Sequence, residues 1–388
     1  MTIPLSPVIA AVTAAIVGCG GSIAVVFAAC AAAKATPAET ASWVAGLCVA
    51  VALSSGILSI RYRLPIIAAW STPGAALIAA SQSPALTMET AVGAFVVAAV
   101  LILATALIAP LGRLIEKLPM PIAAAMLAGV LLKLVVAPFE VLPTAPMLIL
   151  PLVLLFLILR VRLPSLAVIV VLIAGIALAG ALDQLKPLPP LALAEIVWVV
   201  PRIDPAIALG LGVPLYLVTM ASQNLAGFAV LRASGFEQIP TRPILGVTGL
   251  LSFATAFTGA HTSNLAAISA AICTGSEAHP DRALRWWAGP PYMVVYLLFA
   301  ALAPSLVALF AILPPVLVKT IAALALAAPM TGALVTAFSG PHEKFGPGLT
   351  FAVTVSGVSL FGVGSAFWGL VAGLLVAGLG RVLSPGSK

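Results

Sequence analysis

Charge is scarce in this chain. Only 7% of its 388 residues are Asp, Glu, Lys or Arg, and 62% are hydrophobic. Soluble domains carry about 25% charged residues. A soluble fold this apolar could not cover its own surface, so a polytopic membrane protein is expected. Aromatic residues are few as well, at 6%, while Gly and Pro number 32 each. That mix suits tightly packed, often interrupted transmembrane helices. The apolar runs are long and do not alternate as barrel strands do, so the chain reads as all-α.

Other absences narrow the function. The four cysteines (Cys19, Cys30, Cys48 and Cys273) lie in or beside apolar runs without metal-ligand spacing. They read as small core residues, and neither a metal nor a cofactor is expected. The lack of a phosphate-binding glycine loop argues against ATP-driven pumping. No nucleophile–base pair falls at one depth, which argues against a membrane enzyme. All 11 Asp and Glu fall in loops or at the ends of apolar runs. That leaves no carboxylate for a proton relay or a sodium site at mid-membrane. His261 is the one ionisable side chain expected there. His279 and His342 fall in loops, and Lys133 and Lys319 are expected to snorkel from span ends. The first apolar run lacks a basic leader and reads as a retained helix.

Apolar runs place spans at about 6–33, 38–60, 64–82, 89–111, 119–138, 141–160 and 163–182. After a linker, 183–204, they resume at about 205–233, 241–257, 259–275, 283–311, 314–338, 346–361 and 364–383. That is fourteen transmembrane segments, seven plus seven. With the N-terminus inside, thirteen of the 18 Lys and Arg fall on the inner side. These are Arg61, Arg63, Arg113, Lys117, Arg160, Arg162, Arg232, Arg242, Arg282, Arg285, Lys344, Arg381 and Lys388. Lys34, Lys133, Lys186, Arg202 and Lys319 fall outside. The asymmetry predicts that both termini are cytoplasmic. The net charge of +7 sets topology in this way and does not point to nucleic acid.

Seven is odd, so a second half that repeats the first must sit upside-down. Inverted repeats of this kind mark transporters. "WSTPGAALIAA" (70–80) and "AHTSNLAAISA" (260–270) align at an offset of 190, each in the third span of its half. Both place a polar break inside an apolar run. In the first, an extended stretch (64–70) is expected to lead into a short helix near Pro73, capped by Ser71 or Thr72. In the second, 253–260 reads as irregular and 261–275 as a short helix capped by Thr262 or Ser263. Half-helices that start at mid-membrane leave backbone N–H groups unpaired, which is costly in lipid. Facing N-termini would attract an anion. Ser71, Thr72, Gly74, His261, Thr262, Ser263 and Asn264 are therefore candidate substrate ligands. Gly20, in "VGCGGS" (17–22), allows close helix crossing or exposes backbone to a ligand. Gln223 and Asn224, in "TMASQNLAG" (219–227), put amides deep in an apolar helix. Trp70 could stack on a flat ring or pack in the core.

The stretch "GAHTSNLAAISAAICTGSEAHPD" (259–281), continued by "RALRWWAGPPY" (282–292), closely resembles the signature of the BenE-type benzoate membrane transport proteins. The length and "WSTPGAAL" (70–77) fit that family, so the resemblance covers nearly the whole chain. It implies a benzoate–proton symporter of the bacterial inner membrane, related to nucleobase, ascorbate and sulfate/bicarbonate transporters. It also implies two inverted seven-span repeats, with broken third and tenth spans and the substrate between them. The core domain would comprise 1–111 and 205–311, and the gate domain 119–182 and 314–383. A homodimer contact would form through the gate. Nucleobase carriers of this kind use a Glu in the eighth span and another in the tenth. Gln223, Asn224 and His261 stand in those spans here, and His261 becomes the candidate proton-coupling group. An uncoupled or exchanging carrier for small anions is the alternative.

Overall fold

The computed structural model describes residues 4–108, 119–164, 166–187, 190–339 and 343–383, with side chains up to 379. Arg113, Glu116, Lys117, His342 and Lys388, assigned to loops above, lie outside the described residues, as does the side chain of Arg381.

Nearly every element is a helix. The first span breaks at Gly20–Ser22 into α1 (Leu5–Gly20) and α2 (Ile23–Ala32). α3 (Pro37–Tyr62) opens with a capping box between Thr36 and Glu39 and with Pro37 in its first turn. A three-residue strand, β1 (Ala68–Trp70), leads into the short α4 (Thr72–Ala79), and α5 (Met88–Leu107) follows. α6 (Met120–Glu140), α7 (Pro146–Arg162) and α8 (Ala167–Ala181) complete the first half.

In the second half, α9 (Pro205–Ala233) contains two π-helical stretches, Ala208–Gly212 and Thr219–Asn224. α10 (Thr241–Ala256) precedes β2 (Ser263–Leu265) and the short α11 (Ile268–Thr274). A 3₁₀ turn, Arg282–Ala288, leads to α12 (Gly289–Ala301), which bends by 61° into α13 (Ala303–Ala311). α14 (Pro315–Phe338), α15 (Phe345–Ser356) and α16 (Ser365–Leu383) end the chain. Among the described residues, six helices are long and apolar enough to cross a membrane, and the bent α12–α13 pair makes a seventh. Three further apolar helices, in α8, α15 and α16, are shorter.

Packing follows the two halves. α3 lies along α12, α5 along α10, and α1 against α11, so elements of one half meet elements of the other. α6 packs chiefly on α14 and α15, and α15 on α16. The two strands meet at the centre. They pair antiparallel, Ala68 opposite Leu265, Ala69 opposite Asn264 and Trp70 opposite Ser263.

The tenth span departs from the sequence expectation. His261–Asn264 do not belong to a helix. Ser263 and Asn264 lie in β2, and the helix starts only at Ile268, after Ala267, which gives no side-chain cap. Thr262 and Ser263 are therefore not caps. The structural offset between the halves is also not 190: β1 to β2 (68 to 263) gives 195, and α4 to α11 (72 to 268) gives 196. The third span behaves as expected. Ser71 caps α4, its Oγ accepting from the Gly74 N–H at 3.1 Å.

Candidate substrate site

A two-stranded ribbon buried in an apolar core leaves one edge of each strand without a backbone partner, and nothing in lipid would supply one. Here side chains do. Along β1, the Ile66 N–H donates to Ser59 Oγ at 3.1 Å and the Ala68 N–H to Ser55 Oγ at 2.9 Å, while Tyr292 donates to the Ala68 carbonyl at 3.2 Å. Along β2, the Ser263 N–H donates to Ser252 Oγ at 2.9 Å and the Leu265 N–H to Asn224 Oδ1 at 3.0 Å. The ribbon runs on past its strands, with the Ser71 N–H donating to the Thr262 carbonyl at 3.0 Å and the Ala266 N–H to the Ile67 carbonyl at 2.9 Å. Thr219 links the two spans, its hydroxyl reaching Ser71 Oγ at 3.1 Å and Thr262 Oγ1 at 2.8 Å.

His261 belongs to the same scheme. Its Nδ1 lies 3.0 Å from Trp43 Nε1, and its Nε2 lies 3.1 Å from the Ser71 carbonyl. Indole N–H only donates, so Nδ1 must be the acceptor, and Nε2 carries the proton it gives to Ser71. The imidazole is thus neutral, with its tautomer fixed from both sides. Its ring meets Trp43 and Phe95 edge-on, with centroids 5.9 and 6.2 Å away. Asn264 gives its amide N–H to the Leu265 carbonyl at 2.7 Å. Its Oδ1 is buried without a partner, one of two such side-chain atoms among the described residues.

A cavity of about 220 Å³ opens beside the ribbon. It is lined by Gly18, Trp70, Thr72, Gln223, Ser269 and Tyr296 and by Phe156, Arg160, Val168 and Pro329. Drug-sized pockets run to roughly 300–1,000 Å³, so this one suits a small ligand. Trp70 is held in place by its N–H to Ser22 Oγ at 3.0 Å and by an edge-on contact with Tyr296, 5.9 Å between ring centres. Thr72 begins α4, and Ala267–Ser269 begin α11. Pro73 has no N–H and that of Gly74 is taken by Ser71, so Thr72 and the first turn of α11 supply the N–H groups that lack an intrahelical acceptor. Both helices are short, so those N–H groups, more than helix dipoles, make the site attractive to negative charge. Among the described residues, Arg160 is the only charged side chain that lines it. A larger space of about 480 Å³ shares Pro73, Gln223 and Pro329 with this cavity.

Of the eleven candidates from the sequence, Trp70, Thr72 and Gln223 line the cavity. Gln223 gets there from the second π-helical stretch of α9, a device that re-aims side chains. The other eight are brought near but stand behind the wall. Ser71, Asn224, His261, Thr262, Ser263 and Asn264 are buried, and apart from Asn264 Oδ1 they spend their polar groups on the ribbon and its flanking helices. Gly74 packs against Leu215, and a side chain at Gly20 would meet Ile169 of α8. Both ring nitrogens of His261 are taken by protein groups, and His261 is not among the residues lining the cavity.

Sequence reasoning missed Arg160, Tyr296 and Ser22. Arg160 was assigned to topology alone, and its cavity position follows only from how α7 packs. The second half of the 259–292 motif also has a structural task. Arg285 is buried and donates to the Thr274 carbonyl at 2.8 Å and the His279 carbonyl at 2.8 Å, tying down the end of α11. Arg63 stacks over Trp286, 4.7 Å from the ring centre.

Comparison with known proteins extends this picture. The transmembrane domain of the cyanobacterial bicarbonate transporter BicA superposes with a TM-score of 0.60 at 15% identity, covering 95% of this chain and 97% of that one. The murine Slc26a9 anion transporter in the inward-facing state gives 0.63 at 12% identity, covering 99% and 69%. At such identity the likeness concerns the fold, which is that of the inverted-repeat transporters. Among curated proteins, the inner membrane protein YdcO of Escherichia coli is 35% identical over 379 residues, 96% of this chain and 95% of that protein. The benzoate membrane transport protein of Acinetobacter baylyi is 32% identical over 372 residues, 96% and 94% of the two chains. The family described as benzoate membrane transport protein, BenE, matches residues 1–379, and this chain, a membrane transporter and not an enzyme, belongs to that family.

Proposed function

We propose that the chain imports an aromatic carboxylate, with benzoate as the first compound to test, together with protons. The observation that carries this is the composition of the cavity. Aromatic side chains, Trp70 and Tyr296, flank a small space that also borders the starts of α4 and α11 and, among the described residues, a single cation, Arg160. No Asp or Glu lines it. A flat ring with one negative end matches those walls. The name of the Acinetobacter baylyi relative supports benzoate as the ligand.

Transport would proceed by alternating access, a core domain (1–111 and 205–311) moving against a gate domain (119–182 and 314–383). The fourteen-span arrangement, with both termini cytoplasmic in a bacterial inner membrane, belongs to the same proposal. So does a homodimer built through the gate. The charge asymmetry across the spans supports that orientation.

His261 is the candidate proton carrier, in a refined role. It is neutral here because Trp43 donates to Nδ1. Taking up a proton requires Trp43 to move off Nδ1, so protonation would be tied to a rearrangement of α3 against the ribbon. In proteoliposomes, His261→Gln should exchange benzoate across the membrane yet fail to concentrate it when a proton gradient is imposed. A His261→Gln protein that still concentrates benzoate would remove His261 from the coupling. The locked, neutral His261 also favours a second reading, an uncoupled or exchanging anion carrier. Wild-type exchange that ignores the proton gradient would select it.

A further inference from the structure

A separate cavity of about 210 Å³ lies at the far end of α4, between Leu77–Ala80 and the turn at residues 357–364. It touches neither strand of the ribbon. Ser81, Gln82, Ser359 and Ser365 give it a polar collar, and Lys133 is its only charged lining residue.

Lys133 does not sit as a snorkelling lysine should. It is seven residues short of the end of α6 at Glu140, about 10 Å back along the helix. It is half-buried. Its ammonium lies against Gly357, the left-handed residue (φ 70°) that closes α15, and a side chain there would overlap Lys133 Nζ. A lysine near a helix end commonly bonds the last carbonyls. Among the described residues Lys133 donates no such bond, and no carboxylate lines its cavity. A half-buried, unpaired ammonium is costly to keep, and an incoming anion would offset that cost.

We propose that this cavity is a capture site for the carboxylate of the transported anion on the Lys133 face, and this rests on the transport reading above. The two cavities share no lining residue, and α4 spans the distance between them. Pro73 and Ala80, on opposite ends of α4, border the central and the outer cavity respectively. Seven residues of helix are about 10 Å. The gate thus offers one lone cation to each cavity, Lys133 to this one and Arg160 to the central one.

The test compares wild type, Lys133→Gln and Lys133→Arg for labelled benzoate uptake into whole cells and into everted membrane vesicles. With the Lys133 face outside, Lys133→Gln should raise the apparent KM in cells about three- to tenfold and leave it unchanged in everted vesicles. Lys133→Arg should stay near wild type. The KM in cells should also rise with ionic strength for wild type and less so for Lys133→Gln, because steering charges are screened. Equal KM changes in both directions would overturn the site, as would equal damage by Gln and Arg; both mark a structural lysine. In purified wild type, benzoate should also slow acylation of Lys133 by an amine-reactive reagent severalfold, read by peptide mass spectrometry. Wild type that moves no benzoate sinks the transport reading alone. The protection result then decides the capture site, and unprotected Lys133 would overturn it.

Discussion

Trp43, His261 and Ser71 form a short chain of contacts that decides how the ribbon is held. Trp43 donates a hydrogen bond to Nδ1, and Nε2 donates one to the Ser71 carbonyl. Trp43→Phe keeps most of the apolar volume and removes the first donor. It leaves a buried imidazole nitrogen unpaired, a loss of about 1–3 kcal/mol. Thermal unfolding in detergent should show it, and a Trp43→Phe protein as stable as wild type would mean that the contact is idle. The sequence identifies His261 because ionisable residues are so rare in the apolar runs. It does not reveal Trp43, which is 218 residues away in the chain. Arg160 illustrates the opposite difficulty. It stands beside Arg162 at the end of an apolar run, which is where topology places basic residues anyway, so nothing local separates a cavity residue from a loop residue.

At the scale of elements, the polar run His261–Asn264 answers a backbone problem. Ser, Thr and Asn are helix caps because they pair with free N–H groups. An extended strand in an apolar core has the same need, met here by Ser252 and Asn224 for β2 and by Ser55 and Ser59 for β1. The sequence therefore shows that backbone is exposed near 261–264 without showing whether helix or strand exposes it. A three-residue strand is too short to carry a period-two pattern, and Ala-rich segments matched at an offset five or six residues from the structural one. The third span was easier to read, because Ser71, Thr72 and Pro73 are local signals for a helix start. Two substitutions probe this layer. Asn224→Leu strips the acceptor from the Leu265 N–H and should cost about 1–3 kcal/mol of stability. It should also abolish transport, and full activity in Asn224→Leu would show that the ribbon needs no such support. Ser71→Ala removes the cap of α4, worth about 1 kcal/mol, and should weaken benzoate binding. Unchanged binding affinity would argue that the start of α4 does not face the ligand.

At the scale of the whole molecule, cavities lie both beside Arg160 and beside Lys133. The central cavity and the larger space next to it share Pro73, Gln223 and Pro329, from α4, α9 and α14. On the Lys133 side, Gly210 of α9 meets the backbone of Gly364, just before α16, and a side chain at Gly210 would collide with it. A Gly210→Val side chain should therefore push this seam apart and lower labelled-benzoate uptake; wild-type uptake by Gly210→Val would show that the working protein needs no close seam here. The composition and the spacing of apolar runs made the helical membrane fold readable from the start. The packing of one helix group on the other was not, because it depends on small residues whose contacts are distant in sequence. The most direct measurement is labelled-benzoate uptake into proteoliposomes, with and without an inward proton gradient, set against protein-free liposomes. Protein-dependent uptake should overshoot equilibrium only with the gradient. No uptake above the protein-free liposomes, from protein shown to be folded, would contradict benzoate as the substrate, and gradient-independent exchange would contradict the proton coupling.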